Sequence, residues 1–134
     1  MSGAGARAAR ERSDLERVEM SWISVCAVDR LTPDRGVAAL VDGRAVAVFR
    51  LSDGSLHAID NVDPCSGASV LSRGIVGDVA GVATVASPLY KQRFALDTGT
   101  CLDTDDAVAV AVHEARVVDD ASGELVQVRL GGSP

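Results

Sequence analysis

Ser87-Pro88-Leu89-Tyr90-Lys91-Gln92-Arg93-Phe94-Ala95-Leu96-Asp97-Thr98-Gly99 decides how this chain is read. A proline-stiffened loop runs straight into a short strand and then a tight turn. Asp97-Thr98-Gly99 has turn chemistry, because Gly accepts positive φ without steric cost and Asp caps its own backbone. A second loop lies upstream and reads as its partner: Asn61-Val62-Asp63-Pro64-Cys65-Ser66-Gly67-Ala68-Ser69-Val70-Leu71-Ser72-Arg73-Gly74.

Outward from these loops the chain is a succession of short apolar runs broken by Gly and Asp. Trp22–Val28 alternates as a strand. Val37–Val41 and Ala45–Arg50 flank Asp42-Gly43-Arg44, and Asp-Gly between apolar runs is a strong hairpin signal. Leu56–Ile59, Val82–Ala86, Arg93–Leu96, Val108–His113, Ala115–Val118 and Leu125–Leu130 follow as strand candidates, and Gly77–Gly81 precedes the second of these without an assignment. Many short strands with frequent turns indicate an all-β domain, an antiparallel β-sandwich or small barrel. Residues 1–20, rich in Ala, Arg and Glu, read as a flexible N-terminal arm. Glu11, Asp14, Glu16 and Glu19 are too many acids for a transit peptide. The compact domain is placed at 21–130, with 131–134 as a tail.

Composition narrows the function. At 134 residues, with 47% hydrophobic but only 3% aromatic residues, the core must come from Val, Ala, Leu and Ile. The first of these favours strands. A net charge of −6 lacks the basic footprint that nucleic acids or anionic membranes require. No apolar run approaches the ~20 residues of a membrane span. Three cysteines with no close pair point to free thiols in a reducing compartment, and the cytoplasm is expected.

The two loops together resemble the cluster-binding loops of the Rieske iron–sulfur fold. Its templates are C-P-H-x-G-A-x-L-S-x-G and C-P-x-H-G-x-x-F-x-L-x-T-G. Anchored on Leu71, Ser72 and Gly74, the first template puts Pro64 at the Cys position and Ser66 at the His position. The second fits Pro88, Phe94, Leu96, Thr98 and Gly99, and puts Ser87 at Cys and Tyr90 at His. A [2Fe–2S] centre of this type needs two thiolates on one iron and two imidazoles on the other. Hydroxyls are hard, protonated substitutes for soft thiolates, so no metal is expected at these positions.

Asp63-Pro64, Ala68-Ser69-Val70-Leu71-Ser72-Arg73-Gly74 and Ser87-Pro88-Leu89-Tyr90-Lys91-Gln92-Arg93-Phe94, combined with the lost ligands, resemble the small subunit of assimilatory NAD(P)H-dependent nitrite reductase. The resemblance implies a chain without cofactor or catalytic residues of its own. It also implies docking on a large catalytic subunit that carries FAD, sirohaem and an iron–sulfur cluster and reduces nitrite to ammonium with six electrons. Tyr90, Lys91, Gln92 and Arg93 are the expected docking residues, set against the alternative that their charges merely keep a loop soluble. Tyr90 is further expected to fill the vacated space and hydrogen-bond to the opposite loop. A Rieske-type [2Fe–2S] electron-transfer protein with atypical ligands, Cys65 among them, is the alternative function. A free-standing small-molecule binding module is a third. Cys26 and Cys101 read as sheet residues, Cys65 as a small, partly buried one. His57 and His113 read as satisfied strand histidines, and Asp103, Asp105 and Asp106 as a solvated acidic loop.

Overall fold

The strand Arg44–Arg50 carries the molecule's centre because it is apolar on both faces. In a computed structural model that describes residues 22–104 and 107–131, Val46 and Val48 point into one core with Leu31, Val41, Ala58, Val126 and Val128. Ala47 and Phe49 point the other way, into a core with Ile59, Leu71, Val85, Phe94 and Leu96. Side chains alternate across a strand, so one uninterrupted run of small and β-branched residues serves two cores at once.

Nine strands are described: β1 (Trp22–Ala27), β2 (Arg35–Val41), β3 (Arg44–Arg50), β4 (Leu56–Asp60), β5 (Ile75–Val79), β6 (Val82–Ala86), β7 (Arg93–Ala95), β8 (Val112–Asp120) and β9 (Gly123–Arg129). All pairings are antiparallel. A six-stranded sheet runs β1-β9-β8-β4-β3-β2, and a three-stranded sheet β5-β6-β7 packs beside it. The all-β, near-barrel expectation holds. The first core fills the six-stranded sheet; the second lies between the sheets and beneath the paired loops. On the outer face Trp22 is clasped by Arg116 and Arg129, 4.0 and 4.7 Å from the ring centroid, and Arg129 is paired with Glu114.

The Asp42-Gly43 hairpin forms as expected, with both residues at positive φ, the turn that matches strand twist. Two elements differ from the sequence reading. Ile75–Val79, not among the strand candidates, is strand β5, and Ala80-Gly81 turns it back into β6 with both φ positive. An Ala in the left-handed region is the reason the turn is hard to read, since that conformation usually selects Gly or Asn. Val108–Val118 is not two strands. Val108–Ala111 makes only an isolated bridge through Ala109, and β8 is one continuous strand from Val112. The 1–20 arm, Asp105 and Asp106, and residues 132–134 lie outside the described residues.

Asp60 and His113 pin the end of β9's continuation to the sheet. His113 is buried; its Nδ1 accepts the Gly131 N–H at 3.1 Å, which leaves Nε2 to donate to Asp60 Oδ1 at 2.8 Å. Arg44 donates twice to the same carboxylate, at 2.9 Å each. Burial pushes the Asp60 carboxyl up, but hydrogen bonds and charge from Arg44 and His113 outweigh it and hold the group below its ordinary value. A lowered folded-state pKa stabilises above the unfolded value of about 4, and that stability drains away as pH falls through the folded value. Asp60→Asn is therefore expected to start less stable at neutral pH yet to lose less melting temperature than the parent between about pH 5 and pH 3. Parallel melting curves across that range would remove the assignment.

Candidate functional site: the paired loops

The first loop is built by Asn61. Its side chain accepts the Ser72 N–H at 2.7 Å and donates to Ser69 Oγ at 2.9 Å, while its carbonyl accepts from Val70 and Leu71. One buried amide thus holds the returning limb of the loop. The turn of 3₁₀ helix at Leu71–Arg73 is wedged against two strands. A Cβ on Gly36 would lie 2.5 Å from the Ser72 carbonyl oxygen, and one on Gly74 would lie 2.4 Å from that of Ala86. Gly74 therefore lets the first loop end flush against the residue before Ser87, where the second loop begins.

The second loop closes on itself. Ser87 N–H donates to the Gln92 carbonyl and the Ser87 carbonyl accepts from Lys91, both at 2.9 Å. Lys91 takes φ 63° to make this turn. Phe94, fully buried, plants the outgoing limb in the core.

Between the loops runs one buried bond. Ser87 Oγ donates to Asp63 Oδ2 at 2.6 Å, and Asp63 Oδ1 accepts the Cys65 N–H at 2.8 Å. Both Asp63 and Ser87 are buried, at 0% and 1% exposure. Ser87 Oγ also accepts the Leu89 N–H at 3.3 Å. The contact across the loops is thus made by Asp63, one residue before the position that the Leu71 frame selects. Pro64 is exposed, and Ser66 turns inward on its own loop to accept the Ala68 N–H. The cause is one additional residue between Ala68 and Leu71, where two stand in place of one. Counted from Pro64, Gly67 and Ala68, Asp63 takes the Cys position and Cys65 the His position.

Tyr90 does not fill space between the loops. It is 61% exposed, beside Leu89 at 51%, because the Asp63–Ser87 bond already draws the loops together. Lys91 is exposed. Arg93 is exposed but committed, its guanidinium donating to Asp103 at 2.6 Å, and the Asp103 carboxyl also accepts the Arg93 N–H at 2.7 Å. Asp103 is thus no mere solvated charge: hydrogen bonds from Arg93 hold it below its ordinary value. Gln92 is half-buried, and its Oε1 is buried without a hydrogen-bond partner among the described residues. Cys65 is exposed rather than packed. Desolvation, with Asp63 adjacent, raises its thiol pKa, the opposite of what activates a nucleophile. Cys101 is buried, and Cys26 half-buried in β1. Val62, Leu89, Tyr90 and Leu102 are all more than a third exposed. They sit on segments joined by Asp63–Ser87 and by Leu102 N–H to the Arg93 carbonyl; Leu40 and Ile75, outside the two loops, are more exposed still, at 74% and 76%.

This donor set does not suit a two-iron centre. Two thiolates on one tetrahedral metal, each at about 2.3 Å, stand about 3.8 Å apart. Asp63 and Ser87 are in direct contact at 2.6 Å, which leaves no room for a metal between them, and neither brings sulfur. Among the described residues no three of His, Cys, Asp and Glu converge as a metal-holding group. No described helix is long and apolar enough to cross a membrane.

In the sequence Asp63 stands out only as part of the Asp63-Pro64 pair, and Asn61 not at all, because nothing local reports which residues they meet. Their partners lie 8, 11 and 24 residues away. The one available signal was the fit of Pro64, Gly67 and Ala68 to the first template.

The profile of the Rieske-like [2Fe-2S] domain family matches residues 21–129. The chain is 44% identical over 109 residues to the nitrite reductase (NADH) small subunit of Salmonella typhimurium, covering 81% of this chain and 96% of that one. The solved nitrite reductase [NAD(P)H] small subunit of Erwinia carotovora superposes with a TM-score of 0.68 at 42% identity, covering 85% of each chain. A stretch of the nitrite reductase [NAD(P)H] large subunit of Klebsiella oxytoca is 43% identical over 82 residues, 61% of this chain and 8% of that one.

Proposed function

This chain belongs to the Rieske-like [2Fe-2S] domain family, in its branch of nitrite reductase small subunits, and from that premise we propose that it is the accessory subunit of an NAD(P)H-dependent nitrite reductase, docking on a large catalytic subunit through the paired loops. The flavin, sirohaem and iron–sulfur chemistry of the six-electron reduction of nitrite to ammonium resides in that partner, in the cytoplasm. This chain contributes surface and rigidity, with no catalytic residue of its own.

The observation that carries the reading is the Klebsiella large subunit, which contains within its own chain a stretch 43% identical to this one. A domain that is free in one organism and part of the larger polypeptide in another works in contact with that polypeptide. The docking residues are Leu89, Tyr90 and Lys91, consecutive and exposed on the second loop. Gln92 and Arg93 support them from behind, the one half-buried and the other fastened to Asp103.

The test is co-purification of the tagged full chain with the large subunit, followed by titration of the two purified proteins. Association in a defined ratio supports the proposal; no association at micromolar concentration ends it. Lys91→Glu is the informative charge variant, because Arg93→Glu would also set two carboxylates together at Asp103. An exposed ion pair contributes about 0.2–1 kcal/mol, so Lys91→Glu should weaken association about two- to five-fold, with a shallower dependence on salt. Affinity equal to the parent's would take Lys91 out of the interface.

A further inference from the structure

In Rieske domains that carry the cluster, each loop template supplies one thiolate to the same iron, and metal ligation is folding energy. We infer that in this chain the Asp63–Ser87 hydrogen bond has taken over that link, so that the docking end is a closed platform whose shape needs no metal. The inference goes beyond assembly with a large subunit and does not depend on it.

Three observations on the structure converge. First, the two residues that touch are those at the Cys positions of the two loops, once the additional residue between Ala68 and Leu71 is counted. Second, the pair is fully enclosed, and the same two side chains also accept the Cys65 and Leu89 amides inside their own loops. A buried polar pair of this kind is costly when half-made, so each partner holds the other in place. Third, the residues at the two His positions, Cys65 and Tyr90, are exposed. The inner pair of ligand positions has become a bond and the outer pair has become surface. No group at these positions is left pointing at an empty centre: the outer residues are free to meet a partner because the inner ones no longer need a metal to stay together.

The bond spans two loops 24 residues apart, so breaking it from one loop must be felt in the other. Amide exchange on the full-length chain tests this. Asp63→Ala, a change in the first loop, is expected to speed exchange of the Lys91 amide, which donates to the Ser87 carbonyl in the second, by about tenfold or more, the equivalent of about 1.4 kcal/mol. In the reverse direction Ser87→Ala should do the same to the Cys65 amide, and the double variant should be no worse than the more damaged single one, as expected for partners in one interaction. Exhaustive iron chelation should leave both amides as protected in the parent as before. Exchange of the opposite loop unchanged in both variants, additive losses in the double variant, or protection in the parent that falls on chelation would each overturn the inference. Should Asp63→Ala fail to fold, Ser87→Ala, which removes a single oxygen, carries the test alone.

Discussion

Phe94→Ala should cost about 3–5 kcal/mol of folding free energy, the range for deleting a buried aromatic ring. Phe94 is fully buried, lies opposite Val85 in the β6–β7 register, and bridges to Cys101. It shares a core with Phe49, Leu71 and Leu96. With only 3% aromatic residues in the chain, neighbouring Val and Ala side chains have little reach to collapse into the space left behind. A domain of this size has about 5–15 kcal/mol in total, so the loss is a large share. Urea denaturation measures it: the midpoint should fall while the slope stays the same, the mark of a stability change without a change in the surface exposed on unfolding. Phe94→Leu should lose clearly less, because most of the volume is kept. A loss below about 1 kcal/mol for the alanine variant, outside the range for emptying a packed site, would mean that the ring is not the anchor of the second loop.

The second large effect is on assembly. Leu89→Asp combined with Tyr90→Ala should leave the isolated chain folded, because both side chains are more than half exposed and surface changes usually stay within about 0.5 kcal/mol. Affinity for the large subunit should nevertheless fall about thirtyfold or more, corresponding to about 2 kcal/mol for the loss of an aromatic anchor and its apolar neighbour. Aromatic side chains carry a disproportionate part of interface energy because they remove much area from water at little entropic cost. Titration calorimetry on the two purified proteins reads this directly. A variant that binds as tightly as the parent would move the interface to another face of the domain, whatever the fate of the Asp63–Ser87 bond.

These two variants divide the paired loops into what supports and what is presented. Phe94, Asp63, Ser87 and Asn61 are buried and set the position of the loops. Leu89, Tyr90 and Lys91 are exposed and meet whatever approaches. Gln92 Oε1, without a hydrogen-bond partner among the described residues, lies at the boundary between the two groups.

The sequence alone was enough for the strand-and-turn character of the chain, because its signals are local. Val-rich alternating runs, the Asp42-Gly43 turn and the Pro and Gly positions of both loops each report on a few adjacent residues. It was also enough to see that neither loop carries a Cys at its Cys position or a His at its His position, since side-chain chemistry is written in the residue itself. Strand β5 escaped because its turn places an Ala where Gly is usual. What only the tertiary structure decided is which atoms meet across the loops. A single additional residue between Ala68 and Leu71 leaves every local signal intact while shifting the frame, so that Asp63, and not Pro64, faces Ser87. Tyr90 stands at the surface because the Asp63–Ser87 bond already closes the gap it was expected to fill. Contacts between segments 24 residues apart depend on how both loops seat on a common core, and no short window of residues contains that information.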